Sequence, residues 1–255
     1  MNVVACYKIV PEEQDIVIRS DRSLSFDKAE WKIGQYDLPA VEAGAQIVEA
    51  VGGKLSVLSV GAKPLENSKL KKGILSRGPQ EAFLVVDESL ADGDTHQTAR
   101  ALAGALAQIN GFDLVLCGEG SSDLYAQQVG SQLGELLNVT TLNGISKITP
   151  EDGKLIVERT LEEEVEVLEV TLPAVLSVTT DITIPRIATM KEILAAGKKA
   201  VTQWSLADIA VADQDKPTEI LSTLAPPQAD RKRIIVEGES EDEIQKFFEN
   251  LRKEL

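Results

Sequence analysis

The chain has 255 residues, 43% of them hydrophobic, with a net charge of −15, two cysteines and one histidine. That length and apolar content suit one large globular domain, or one domain with an extension, and no apolar run approaches the roughly 18 residues that suggest a membrane span. The acidic balance argues against a binder of nucleic-acid backbones or of anionic membranes. Cys6, Cys117 and His96 are too few and too scattered for an ordinary zinc or iron–sulfur site. They point to a reducing compartment, the cytoplasm, and to no structural disulfide.

In chain order, "NVVACYKI" (2–9) is a dense apolar run suited to a central strand. It has no basic segment before it and reads as a strand rather than a signal peptide. A polar loop runs to Lys32. Asp37 is expected to cap a helix that has Pro39 in its first turn and Val41, Ala45 and Val48 on one face. "KLSVLSVG" (54–61) is the second strand, 65–77 a helix and "AFLVVD" (82–87) the third strand. Thr95 is expected to cap the next helix, with Ala99, Leu102, Leu106 and Ile109 at helical spacing, before a fourth strand, "FDLVLCG" (112–118). A further helix is expected from Tyr125 or Ala126, burying Val129, Leu133, Leu136 and Leu137. The alternation predicts an α/β fold of parallel βαβ units with right-handed crossovers.

From about residue 144 the pattern changes to antiparallel hairpins, with Glu151-Asp152-Gly153 as a turn, and "PAVLSVT" (173–179) returns to the sheet. The carboxylates of "EEEVEVLE" (162–169) are expected on a solvated face. Residues 210–230 read as a linker or arm. Ser240 and Glu243 then form a capping box for a helix with Ile244, Phe247, Phe248 and Leu251 on one side. The domain reading is therefore an α/β domain over 1–205 and a C-terminal arm and helix over 206–255, whose apolar side is expected to pack on a partner rather than fold back on its own sheet.

"GEGSSDLYAQQVG" (118–130) holds glycines, hydroxyls and amides but no Lys, Arg, His or Cys. In open parallel sheets ligands bind beyond the carboxyl ends of strands, where the strand order reverses. The helix start near Gln127–Gly130 offers N–H groups and a dipole to an anion, worth about 0.3–2 kcal/mol. Ser121, Ser122, Gln127 and Gln128 add neutral partners for ribose and phosphate. Such a turn holds a nucleotide rather than transforming it; the alternative is an ordinary βα loop with glycines for tightness. "GEG" is not G-x-G-x-x-G and no G-x-x-x-x-G-K-[ST] occurs, so neither the dinucleotide fingerprint nor an ATPase loop is available. "PRIATMKEILAAGKKAV" (185–201) concentrates Arg186, Lys191, Lys198 and Lys199, as either a solvated helix end or a docking segment.

"VERTLEEEVEVLEVTLPAVLSVT" (157–179), with Arg159, Glu162, Glu163, Glu164, Glu166 and Pro173 in order, resembles the signature of electron transfer flavoprotein β subunits. The resemblance extends through "ACYK", "QYDLPAVEA", "LSVG", "AQQVG", "PRIATMKEILAAGKK" and the tail after "APPQ"; "SSDLYAQQVG" and "QYDL" look closest to the Fix-type branch. It implies a Rossmann-like, adenine-nucleotide-hydrolase-like domain paired with an α subunit that holds most of the FAD. It also implies an adenine-nucleotide pocket in this chain at Cys6, Asp37, Val60, Asp123, Ala126, Gln127, Gln128, Val129 and Gly130, filled by AMP or, in electron-bifurcating members, by a second FAD. Partner docking would fall at Arg186, Met190 and Lys191, with Met190 as an apolar anchor. The implied partners are acyl-CoA-type or other flavin dehydrogenases, and a quinone-linked oxidoreductase or ferredoxin. Gly34-Gln35 stands where the family commonly has Asn-Pro, and "SSDLYA" replaces its usual acidic-Thr pattern, so AMP and FAD both stay open. The chain is expected to be a carrier subunit without catalytic residues, because the flavin carries the redox chemistry. Without the signature, the same layout fits a stand-alone nucleotide-binding sensor. An ATP-consuming hydrolase or ligase would want an S-G-G-x-D-S-type loop, which "CYKIVPEEQD" does not contain.

Overall fold

The computed structural model describes residues 1–109, 111–211, 217–227 and 232–254. Its main elements in chain order are β1 (Asn2–Cys6), α1 (Asp37–Val51), β2 (Lys54–Gly61), α2 (Ser68–Leu75), β3 (Glu81–Val86), α3 (Thr95–Gln108), β4 (Leu114–Gly118), α4 (Val129–Leu137), β5 (Thr140–Glu151), β6 (Lys154–Thr160), β7 (Val165–Thr171), β8 (Ala174–Val178), α5 (Met190–Ala196), β9 (Ala200–Trp204) and α6 (Glu241–Arg252). The nine strands form one sheet in the order β7-β6-β5-β8-β4-β1-β2-β3-β9. Every neighbouring pair from β5 across to β9 is parallel. Only β6 runs antiparallel to its neighbours, β5 and β7. The fold is thus a Rossmann-like, mostly parallel sheet flanked by helices, with the hairpin region at one edge.

The central strands are apolar throughout because both faces are covered. Val3 and Ala5 pack toward α1 and α2, while Val4 and Cys6 pack toward α3 and α4, the alternation that a strand imposes. Each fully buried Leu, Ile or Val contributes about 1.5–3 kcal/mol. β1 ends at Cys6, short of Ile9, because the Lys8 N–H turns to the Asp37 carboxylate. A short antiparallel pair, Ile9–Pro11 with Trp31–Ile33, then lines the loop to α1.

Several boundaries differ from expectation. The helix expected over 65–77 divides into a tight turn, Lys63–Glu66, and α2, because the Asn67 side chain caps the latter. α3 is capped by Asp94, not Thr95, in a capping box with Gln97. Asp37 is the first residue of α1, and Tyr36 holds the cap position. α4 starts at Val129 rather than Tyr125 or Ala126, because Tyr125 and Gln127 adopt positive φ (44° and 57°) and cannot join a right-handed helix. Leu133 is buried in α4, whereas Leu136 is exposed. The Asp152-Gly153 turn and the Ser240–Glu243 capping box form as expected.

The chain divides into two compact units, residues 1–17 with 26–221, and residues 18–25 with 222–255. Residues just past 205 stay with the first unit because Trp204 stacks on Phe83 and both Leu206 and Ile209 are buried in the α3–α4 core. In the second unit Ser23 bridges to Leu224, and the Ala225 N–H donates to the Arg22 carbonyl. Within the linker expected over 210–230, residues 212–216 and 228–230 lie outside the described residues. Among the described residues no helix is long and apolar enough to cross a membrane.

Candidate functional site

β1 and β4 are neighbours, but the chain leaves their carboxyl ends in opposite directions. From β1 it passes by α1 to β2 on one side; from β4 it passes by α4 toward β5 on the other. α1 and α4 lie on opposite faces of the sheet. A reversal of this kind opens a crevice at the carboxyl edge of an open α/β sheet.

The candidate site lies at the ends of those two strands. Beyond Cys6, the Lys8 N–H donates to Asp37 Oδ2 at 2.7 Å, and the Gly34 N–H donates to the Lys8 carbonyl at 2.8 Å. Gly118 ends β4 because α1 starts against it: a Cβ there would fall 2.6 Å from the Tyr36 carbonyl oxygen and 2.8 Å from Asp37 Oδ1. Asp37 is only 7% exposed. Burial pushes its pKa up to about 7, against the N–H groups of Lys8 and Gly118 and the Lys8 charge, with the Asp123 charge adding to the rise. Lys8 Nζ forms an ion pair with Asp123. Burial opposes ionisation of Asp123. The Lys8 charge, the Ser121 hydroxyl and the Leu124 N–H (2.9 Å) together hold its carboxyl below the usual range.

The turn after β4 is strained. Tyr125 and Gln127 both sit in the left-handed region, at about 1–3 kcal/mol each, a feature that clusters at ligand sites. The Tyr125 ring folds over Gly120, where a Cβ would overlap it, and meets Tyr36 at 5.2 Å between centroids. Ala126, Gln127 and Gln128 are exposed. Gln128 Oε1 accepts from Thr95 Oγ1 at 2.9 Å, which ties the start of α4 to the start of α3.

Side chains cap α2, α3, α5 and α6, through Asn67, Asp94, Thr189 and Ser240. α1 and α4 have no side-chain cap, and these are the two helices whose starts flank the crevice. An uncapped start keeps N–H groups and positive dipole for an external acceptor.

α4 is seated close to the sheet by Gly130 and Gly134. A Cβ on the first would overlap Ser177 Oγ of β8, and one on the second would fall 2.7 Å from Thr141 Cβ of β5. Gly130 therefore turns its hydrogen to the sheet and sets how near the helix start lies to the strand ends. Of the other expected residues, Asp37 and Asp123 meet through Lys8. Cys6 is buried with its thiol against Cys117 on the adjacent strand; that hydrogen bond and burial push its pKa well up. Val60, next to last in β2, is half-buried at the same edge, and Val129 is half-buried at the start of α4. Lys8, Thr95 and Gly118 were not among the pocket residues expected. Gly118 was signalled by a glycine closing an apolar run, but a lone lysine or threonine in a loop carries no such signal.

The expected docking residues lie apart from the crevice residues in sequence. Met190 opens α5 and is 72% exposed; Lys191 is exposed; Arg186 is held by two glutamates, Glu42 and Glu49. The site offers hydrogen-bond donors and a strained turn beside two uncapped helix starts, an arrangement that can grip a phosphate ester. A family model described as the electron transfer flavoprotein domain matches residues 23–209, a span that runs from before α1 through β9.

Proposed function

The chain belongs to the electron transfer flavoprotein family, and from that premise we propose that it is the β subunit of a heterodimeric carrier of the Fix-type branch, holding AMP at the starts of α1 and α4. Proteins of this family carry electrons on bound flavin rather than converting substrates of their own. The observation that carries the nucleotide reading is the pairing of the two uncapped helix starts with the strained turn at the reversal of strand order. A side-chain cap is worth about 1 kcal/mol, and a bound phosphate supplies its equivalent. Ser121, Ser122, Gln127 and Gln128 would hold ribose and phosphate, and nothing in the turn would attack them.

FAD is held mainly by the α subunit, onto which the arm packs. Ile244, Phe247, Phe248 and Leu251 on α6 are 41–53% exposed, and Ile235 and Leu221 more so. A stand-alone sensor has no use for that much open apolar surface. Cytoplasmic flavin dehydrogenases, of acyl-CoA type or another, deliver electrons at the segment around Met190; a quinone-linked oxidoreductase or ferredoxin receives them. The test is the FAD and AMP content of the complex purified with its α subunit. One FAD and one AMP per heterodimer are expected. Two FAD and no AMP would place the complex in the electron-bifurcating class. A nucleotide-free chain, or one that forms no complex and stays colourless, would overturn the reading.

A further inference from the structure

Residues 179–189 join β8 to α5 without helix or strand, yet Thr183 and Arg186 fasten them to α1. Gln46 Nε2 donates to Thr183 Oγ1 at 2.9 Å and to Glu42 Oε1 at 3.0 Å. The Arg186 N–H and Nε donate to Glu42 Oε2 at 3.1 and 2.7 Å, and Nη2 donates to Glu42 Oε1 at 3.0 Å. Nη1 and Nη2 also donate to the two oxygens of Glu49 at 2.7 and 3.2 Å. From the turn after α2, Arg77 Nη1 donates to the Arg186 carbonyl. Glu42 is buried; burial pushes its pKa up, but the bonds from Arg186 and Gln46 together hold it below the usual range.

This fastening is dense for a segment whose apolar side chains point to water. Ile184 and Ile187, two residues before and one after Arg186, are each 90% exposed, and Met190 and Leu194 follow on α5. The start of α5 is itself fixed by the Thr189–Glu192 capping box, and Lys199 Nζ donates to the carbonyls of Leu75 and Pro79 beyond its end. Lys191 within α5 and Lys198 just past it are exposed, and their charges fit acidic groups beside an apolar recess on the partner. A buried carboxylate paired with a bidentate guanidinium defines one geometry, and a surface ordered beforehand avoids the entropy cost of being ordered at encounter.

We propose that Arg186 is a positioning residue for the electron donor: clamped between Glu42 and Glu49, it presets Ile184 and Ile187 beside Met190 so that a flavin dehydrogenase meets a ready-made apolar surface. The inference rests on the docking reading above and assigns Arg186 to holding that surface rather than to touching the partner. It is tested on the heterodimer with an acyl-CoA dehydrogenase, reduced by its acyl-CoA substrate, as donor, and with hydrogen–deuterium exchange over residues 183–188. Arg186→Gln should raise the KM for the donor about tenfold, leave kcat within about twofold and FAD and AMP content unchanged, and speed exchange over 183–188. Arg186→Lys should recover part of the KM, because an ammonium can pair with Glu42 but cannot form the planar bridge to Glu49. Glu49→Gln changes an exposed side chain, uncovers no buried charge, and should raise KM about threefold even if Arg186→Gln fails to fold. Ile187→Glu should raise KM while exchange over 183–188 stays slow. If Ile187→Glu raises KM but Arg186→Gln and Glu49→Gln leave it unchanged, the clamp role is wrong and the docking surface stands. If Ile187→Glu and Met190→Glu both leave KM unchanged, or the wild-type complex does not oxidise this donor, the docking surface falls and the clamp role with it.

Discussion

Moving the pH from 5 to 8 should remove about 3 kcal/mol of stability through Asp37. The carboxyl is buried where β1, β4 and the start of α1 converge, and burial pushes its pKa from 3.8 to about 7. The folded chain therefore keeps this proton over a range in which the unfolded chain has already lost it. Across that range the unfolded state binds fewer protons, so stability falls as pH rises. The contribution is whole below about pH 4 and gone above about pH 7. At 1.36 kcal/mol per pH unit the interval amounts to about 4 kcal/mol, of which about 3 falls between pH 5 and 8. Asp123, Asp94, Asp87 and Glu42 are all held below their usual values, so their titrations lie beneath this window.

The assay is urea denaturation of the full chain at pH 5, 6, 7 and 8, for the wild type and for Asp37→Asn. Taking the difference cancels the titrations that are not coupled to Asp37; Asp123, which is coupled, titrates below this window. At pH 5 the variant should be the less stable, because its single acceptor oxygen serves only one of the N–H groups of Lys8 and Gly118 that face the carboxylate. By pH 8 the wild type carries an ionised carboxylate in a buried site, and the gap should close by about 3 kcal/mol. A gap that stays constant over all four pH values would refute the argument that Asp37 is protonated in the native state near neutrality.

Gly130→Ala should weaken AMP binding and destabilise the chain by about 1–3 kcal/mol, because the added Cβ overlaps Ser177 Oγ. Adding Ser177→Ala removes that oxygen, leaves the nearest neighbours at 3.5 and 3.7 Å, and should restore both properties. Undiminished AMP affinity in Gly130→Ala by titration calorimetry would separate the helix seat from the crevice. Phe247→Asp and Phe248→Asp each place a charge on a half-exposed ring of α6, whose burial on the α subunit would contribute about 1.5–3 kcal/mol. Heterodimer affinity by sedimentation should fall at least about tenfold, and unchanged assembly in both variants would take the arm out of the interface.

The strands were legible because a sheet covered on both faces writes itself as unbroken apolar runs, as in Val3–Ala5 and Leu114–Leu116. The hairpins were legible from alternation and from the Asp152-Gly153 turn. Strand order was not, since nothing local to β1 says that it pairs with both β2 and β4. The start of α4 was misplaced because the pattern of small and polar residues gives no sign that Tyr125 and Gln127, neither of them glycine, take positive φ. Gly130 drew attention as a place for close phosphate approach; the contact that requires a glycine there is with Ser177, on a strand more than forty residues away. Arg186 read as part of a basic docking segment or solvated helix end, and its two glutamate partners went unseen for the same reason. Glu42, Gln46 and Glu49 share one face of α1 at helical spacing, but no sequence feature names their partner 137–144 residues further on.

One helix serves both candidate sites, which constrains how they can be related. The start of α1 supplies Asp37 and an uncapped end to the crevice, and its next two turns supply Glu42, Gln46 and Glu49 to the docking segment. Between them Gly44 seats the helix on the sheet, where a Cβ would fall 2.8 Å from Leu55 Cδ1 and 3.3 Å from Val3 Cγ1. A helix packed that closely moves as a unit or not at all. On the proposed reading, a nucleotide that neutralises the starts of α1 and α4 steadies the same rigid body that holds Ile184 and Ile187 outward. On that reading the adenylate would take no part in electron transfer and would fix the frame on which the donor lands.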